Sequence, residues 1–173
     1  SLSVEVFYEK SSGIIDLLHK GCRFNSLSVE CSVEGLLKAT AELIGQDVAV
    51  GTSKISGATY ADYSGAVPYY ESYVKKGGTT LERVTDFHFV IENNLKRAPV
   101  IRTTSGYLLK YLPERHRNCS GELTFDFETK TEFDDVVNDT DFSLEFGLGG
   151  TNKAVFSNCK WESVSPPTRI EDL

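Results

Sequence analysis

Residues 21–43 read GCRFNSLSVECSVEGLLKATAEL. Cys22 and Phe24 take even positions among polar neighbours, whereas Leu27, Val29, Cys31 and Val33 take odd ones. A period of two marks a strand with one buried face. The parity changes at Asn25-Ser26, and a one-residue slip would turn the whole apolar set to solvent, so a β-bulge there is the economical reading. After Gly35 the alternation resumes, with Leu37, Ala39, Ala41 and Leu43 against Lys38, Thr40 and Glu42. The stretch predicts a long antiparallel hairpin pivoting near Glu34-Gly35.

The same period extends outward in both directions. Leu2, Val4, Val6 and Tyr8 share one face of a first strand that ends at Ser11-Ser12-Gly13. Phe87, Phe89 and Ile91 alternate with Asp86, His88 and Val90 before a turn at Asn93-Asn94. A strand is expected at 107–112. Another is expected at 121–129, with Leu123, Phe125 and Phe127 inward and Glu122, Thr124, Asp126 and Glu128 outward. Phe142, Leu144, Phe146 and Leu148 precede a Gly149-Gly150 hairpin turn and a last strand near 154–164. Only 131–138 reads as helix, with Thr131 as cap and Phe133, Val136 and Val137 on one side. The class is mainly β: an antiparallel β-sandwich, or a half-closed barrel, with one short flanking α-helix in a single domain over 1–173.

Residues 45–80 break this rhythm. Gly45, Gly51, Gly57, Gly65, Gly77, Gly78 and Pro68 interrupt the alternation. An extended loop is expected, and loops this long in a compact domain are usually functional or disordered. Tyr60, Tyr63, Tyr69, Tyr70 and Tyr73 fall here, five of the eight tyrosines, whereas disordered linkers are poor in aromatics. The excursion either docks on a partner, with the tyrosines as contact residues, or folds over its own domain.

Composition narrows the function classes. The chain has 173 residues, 40% hydrophobic and 25% charged, which describes an ordinary globular protein. Its formal charge of −7 argues against a nucleic-acid reader, whose affinity rests on cations displacing counterions. No apolar run is long enough for a membrane-spanning helix. The chain has no Met and opens Ser-Leu-Ser, which reads as a processed chain or a piece of a longer one. Cys22, Cys31, Cys119 and Cys159 lack zinc-site spacing and read as small buried hydrophobes, with a bridge left open.

No reaction chemistry emerges. His19, His88 and His116 are too scattered to suggest a metal site, and neither a nucleophile elbow nor a Walker loop is present. The acidic stretch Asp134-Asp135 to Asp141 lacks the spacing of a calcium loop. Asn118 and Asn138 fit the three-residue glycosylation pattern, which recurs by chance. The reading is a non-enzyme with no catalytic residue, cofactor or metal. Charge is more informative. Residues 118–146 hold nine acids and one base, net −8, so the remaining 16 acids and 17 bases give +1.

Three passages resemble one known family. Gly21 to Gly45 resembles the hairpin of tail tube (major tail) proteins of long-tailed bacteriophages and archaeal tailed viruses, with its G-x-x-x-N-S-L strand, glycine turn and closing Leu-Ile-Gly. Phe89-Val-Ile-Glu-Asn-Asn-Leu95 is similar to that family's strand and turn ending in I-x-N-N-L. Gly121 to Phe127, Phe133 and Asp141 to Phe146 follow its strand–helix–strand passage. The resemblance spans nearly the whole chain, in order. It departs at the ends, where family members carry further segments, so a fragment is expected.

The resemblance implies a structural virion protein of the tail, assembled in the host cytoplasm. Its subunits form rings, commonly hexamers, that stack into a hollow tube through which DNA passes without being held. Residues 45–80 would be the loop that reaches a neighbouring ring. Tape-measure, tail-terminator and baseplate proteins are the implied partners, and a membrane is not. Carboxylates facing the lumen would repel phosphate: either the hairpin set Glu30, Glu34 and Glu42, or Glu122, Asp126 and Glu128. Two other classes stay open. The tyrosines could serve a carbohydrate-binding or adhesive β-sandwich, and a β-rich enzyme is the third.

Overall fold

The computed structural model describes residues 2–57, 65–101, 109–126 and 128–165, with Lys110 and Tyr111 described by backbone alone. The alternation at 21–43 becomes part of β2 (Gly13–Ser32), which follows β1 (Leu2–Lys10) and precedes β3 (Lys38–Ile44) and β4 (Asp47–Gly51). Then come β5 (Ser72–Lys76), β6 (Thr79–Thr80), β7 (Val84–Glu92), β8 (Ala98–Pro99) and β9 (Leu109–Tyr111). β10 (Asn118–Phe125), helix α1 (Thr131–Val137), β11 (Phe142–Leu148) and β12 (Lys153–Cys159) complete the order. One sheet runs β1-β2-β7-β10, with β3 and β4 also on β2; a second runs β12-β11-β5-β6; β8 and β9 form a small ribbon. Among the described residues the fold is a mainly β, antiparallel sandwich with one α-helix, and no barrel closes.

The chain divides into two compact units. One is Ser1–Ser28, Ala39–Ser64 and Val90–Ser120, and the other is Val29–Lys38, Gly65–Phe89 and Gly121–Leu173. Residues of β2, β7 and β10 fall in both units.

The second unit holds the sandwich. Val29, Cys31, Phe87 and Phe89 of the first sheet and Val74, Leu144 and Phe146 of the second are all buried. Phe89 has ring centroids of Phe146 at 4.9 Å and Phe156 at 5.3 Å, and Phe87 has Phe146 at 5.2 Å. Such pairs contribute about 0.5–1.5 kcal/mol each beyond area burial. β10 passes this cluster at Gly121, where a Cβ would lie 2.7 Å from the His88 carbonyl oxygen.

The first unit is stitched by asparagines. Asn25 Oδ1 accepts the Leu95 N–H at 3.1 Å, its carbonyl accepts the Asn93 N–H at 2.8 Å, and its Nδ2 donates to Glu42 at 2.7 Å. Asn93 in turn donates to the Phe24 carbonyl at 3.0 Å. The N-S-L and N-N-L motifs therefore meet in space.

Several local expectations change. Val29 and Cys31 are buried on odd positions and Cys22 on an even one, as the parity switch requires, yet Phe24 is exposed. The β1–β2 register shifts between Leu2↔Cys22 and Val4↔His19, beside Gly21 at φ +63°. In the hairpin turn the left-handed residue is Glu34 (φ +63°), not Gly35. Val6 and Tyr8, expected inside, are exposed, as are Ala39 and Ala41 of β3. β4, a 3-10 turn at Tyr69–Glu71, β5 and β6 all fall within 45–80, so the loop is shorter than expected. The last strand ends at Cys159, and no cysteine forms a disulfide among the described residues. Tyr107 and Phe127 lie outside the described residues.

A left-handed conformation costs a residue with a Cβ about 1 kcal/mol, and Glu34 makes no ion pair among the described residues to offset it. Glu34→Gly is therefore expected to stabilise the fold by about that amount, read as a higher Tm in thermal denaturation. An unchanged or lower Tm would show that the turn is not strained.

Candidate functional site

The acidic segment is less acidic than it reads. Glu132 pairs with Arg83, Asp135 with Lys76, and Asp134 with Lys130 at 3.4 Å. Glu145 takes Lys153 at 3.1 Å and Lys75 at 3.8 Å, while Asp139 and Asp141 share Lys160 at 2.6 and 3.8 Å. Six of the nine acids at 118–146 are thus paired, several with cations distant in sequence. Glu122, Asp126 and Glu128 are exposed and make no ion pair among the described residues.

Strand parity then gathers the remaining carboxylates. Neighbouring strands of a sheet share faces, and residues i and i+2 lie on one side. With Val29, Cys31, Phe87 and Phe89 turned to the core and Leu123 and Phe125 half-buried on the same side, Glu30, Asp86 and Glu122 share the other face. Asp126 continues the β10 parity one residue past the strand end. The two alternative lumen sets of the sequence reading therefore overlap on one surface, and Asp86 joins them. Its signal was the alternation with Phe87 and Phe89. Glu30 is bridged to Lys38 at 3.4 Å, and Glu34 sits exposed at the hairpin turn. Glu42, in the other unit, accepts from Asn25 and, at 3.4 Å, from Ser26.

α1 docks by charge rather than by apolar contact. Phe133 (52% exposed) and Val137 (67%), expected inward, face away, and Glu132 is buried at 3%. Glu132, Asp135 and Val136 form the inward side at i, i+3 and i+4. Thr131 opens the helix instead of capping it, and Lys130 at the cap position makes no side-chain capping bond. The cations that receive the helix are themselves aromatic-backed: Arg83 lies 4.9 Å over Phe125, and Lys76 lies 5.0 Å over Phe142 and 5.8 Å over Trp161. Burial pushes the Glu132 carboxyl up, but the Arg83 hydrogen bond and the nearby positive charges outweigh it and hold it below its ordinary value. The other buried acid, Asp16, goes the opposite way. Desolvation, then the Glu5 carboxylate, raises it, so its contribution to stability is complete below its ordinary value of 3.8 and is lost as pH rises through the raised one.

The tyrosines separate. Tyr69 and Tyr70 are exposed at 39% and 72%, with ring centroids 5.7 Å apart, edge to face. Tyr73 belongs to β5, donates its hydroxyl to Glu145 at 2.8 Å and lies flat against Gly147, where a Cβ would meet its ring at 2.3 Å. Tyr60 and Tyr63 lie outside the described residues.

Among the described residues, no group of three or more His, Cys, Asp or Glu side chains is placed to hold a metal. An open antiparallel sandwich with a mostly unpaired acidic face, strand edges left open among the described residues and an exposed aromatic pair fits the class of structural subunits that present surfaces for assembly. The chain belongs to a family of that class: residues 1–172 match the family model described as phage tail tube protein. No curated protein matches it.

Breaking one side of a buried ion pair costs about 3–5 kcal/mol, because the remaining charge has no partner. Glu132→Ala is expected to destabilise the chain by about that much in urea unfolding followed by Trp161 fluorescence, and Glu132→Ala combined with Arg83→Met should recover most of the loss. A depressed carboxylate stabilises above its unfolded value of 4.5 and loses that contribution as pH falls through the folded one. The stability difference between wild type and double variant should therefore shrink on acidification below about pH 4.5, since Asp16 contributes equally to both. No rescue in the double variant would rule out ionic docking of α1.

Proposed function

We propose that this tail tube protein self-assembles into rings of six subunits, stacked into the hollow tail tube through which viral DNA passes. The supporting observation is the shared face of Glu30, Asp86, Glu122 and Asp126, whose carboxylates stay largely unpaired while most other acids of 118–146 are neutralised. Turned to the lumen, this face repels phosphate over a Debye length of about 8 Å at physiological salt. Lys38 is held by Glu30 on this face, so DNA finds little free positive charge to bind and slides. The subunit carries no catalytic step in this reading. It works in the virion tail after assembly in the host cytoplasm, with tape-measure, tail-terminator and baseplate proteins at its ends and inside.

Replacing Glu122, Asp126 and Glu128 together by Lys should leave tube length unchanged and slow DNA ejection. Unaltered ejection kinetics in reconstituted virions would count against this face as the lumen.

Contacts between rings are proposed for the excursion within 45–80, through Tyr60, Tyr63 and the exposed pair Tyr69 and Tyr70. Tyr73, engaged by Glu145, positions β5 instead. Tyr69→Ser with Tyr70→Ser should give a folded subunit that forms only short tubes in negative-stain images, since exposed aromatics anchor interfaces. Full-length tubes from that variant would remove the tyrosine pair from the contact.

A further inference from the structure

The sheet of the first unit has one side covered by described residues of the chain and one whose apolar side chains are exposed. In the β1–β2–β4 register Val6 faces Leu17, Tyr8 faces Ile15, and Leu17 faces Val50. Directly paired residues share a face, so these side chains form one apolar surface across three strands. Val6 is 37% exposed, Tyr8 52%, Ile15 44% and Val50 73%, with Val48 at 48% beside them. No Asp, Glu, Lys or Arg interrupts this face between the Val4↔His19 and Tyr8↔Ile15 pairs.

The opposite side is covered by the chain itself. Ile55 donates its N–H to Glu5 at 2.7 Å, Lys54 lies 4.1 Å over the Phe7 ring, and Asp16 beneath them is 6% exposed. The unit also has little core of its own. Cys22, Ile44 and Leu112 are its buried apolar residues among those described, against seven in the other unit. A unit that buries so few apolar side chains gains from covering the ones it leaves exposed.

We infer that the apolar face of β1, β2 and β4 packs against a second copy of this chain. The area is of the right order. Aromatic side chains present on the order of 150–250 Å² each and aliphatic ones less, so Tyr8 with Val6, Ile15, Val48 and Val50, about half exposed, offers roughly 400 Å². Matched by a similar area on the partner, that gives roughly 800 Å², which approaches the ~1,000 Å² lower bound of a specific protein interface. The absence of charge excludes nucleic acid as occupant. Nor does the face itself carry the row of cations that seats a peripheral helix or sheet on anionic lipid. β4 pairs with β2 alone among the described strands, so its second edge is open to extend the contact. The inference rests on the assembly reading above and adds to it where one subunit meets the next.

A photo-crosslinking phenylalanine analogue at position 50 tests it in assembled tubes. Covalent dimers on a denaturing gel are expected; adducts confined to one chain, for example to residues 58–64 or 102–108, would overturn it. Val50→Glu should lower polymerisation at least tenfold while Trp161 fluorescence stays native, and tubes formed at the wild-type rate would equally overturn it. The two failures are distinguishable: a wild-type chain that never forms tubes ends the assembly reading and this surface together, whereas wild-type tubes without cross-chain adducts end this surface alone.

Discussion

Phe89 is the residue through which the sandwich is fixed. Its ring touches Phe146 and Phe156 of the opposing sheet and stacks beside Phe87 of its own strand. Once that ring is inside, the pleat leaves β7 no choice about Asp86, which must point the other way. β2 and β10 are bound to β7 in the same sheet, so the side taken by Glu30 and Glu122 follows. The close approach at Gly121 enforces the match, because a Cβ there would collide with backbone. A hydrophobic contact thus decides where carboxylates stand, and electrostatics enters only after packing has chosen the surface.

Charge follows a similar logic at α1. A helix of seven residues is too short to hold itself together in water and needs a docked face. Here that face is Glu132 and Asp135 against Arg83 and Lys76, and the aromatic rings of Phe125, Phe142 and Trp161 back the cations. Paired burial of this kind stabilises little in net terms, yet loss of either partner is costly. The arrangement also leaves Phe133 and Val137 outside, where an apolar docking would have hidden them.

What the sequence made legible was period, and period sufficed for the strands. Alternation located β2, β3, β7, β10 and β11, and glycines marked the β11–β12 turn, where Gly149 and Gly150 both adopt positive φ. Orientation was legible only where one face was plainly richer in apolar residues. On β1 both faces carry large side chains, Val6 and Tyr8 on one and Phe7 on the other, so period alone could not say which is covered. The helix failed for a different reason. Its three apolar residues suggest an inward stripe, but the outcome depends on Arg83, which lies 49 residues before Glu132 and has no local signature. Long-range partners also emptied the acidic segment of most of its net charge. The bare face of β1, β2 and β4 was written as an ordinary buried pattern, since a strand that packs on another chain has the same alternation as one that packs on its own.

The asparagine motifs show why short polar patterns can persist through a β fold of otherwise interchangeable apolar residues. Many hydrophobic side chains satisfy a sandwich core if volume and period are kept. Asn25 is not replaceable on those terms. It accepts a backbone N–H, donates to a carboxylate and, through its carbonyl, receives the Asn93 N–H, so three elements depend on one residue. Asn93 and Asn94 complete the junction: Asn93 accepts from Arg117 at 2.8 Å, and Asn94, at φ +47°, donates to the His116 carbonyl at 2.9 Å. Asparagine combines an amide able to donate and accept with tolerance of the left-handed region, a pairing that few side chains offer. The first unit, poor in buried apolar residues, is therefore defined by polar geometry at this junction, and its apolar face is left to be satisfied by assembly.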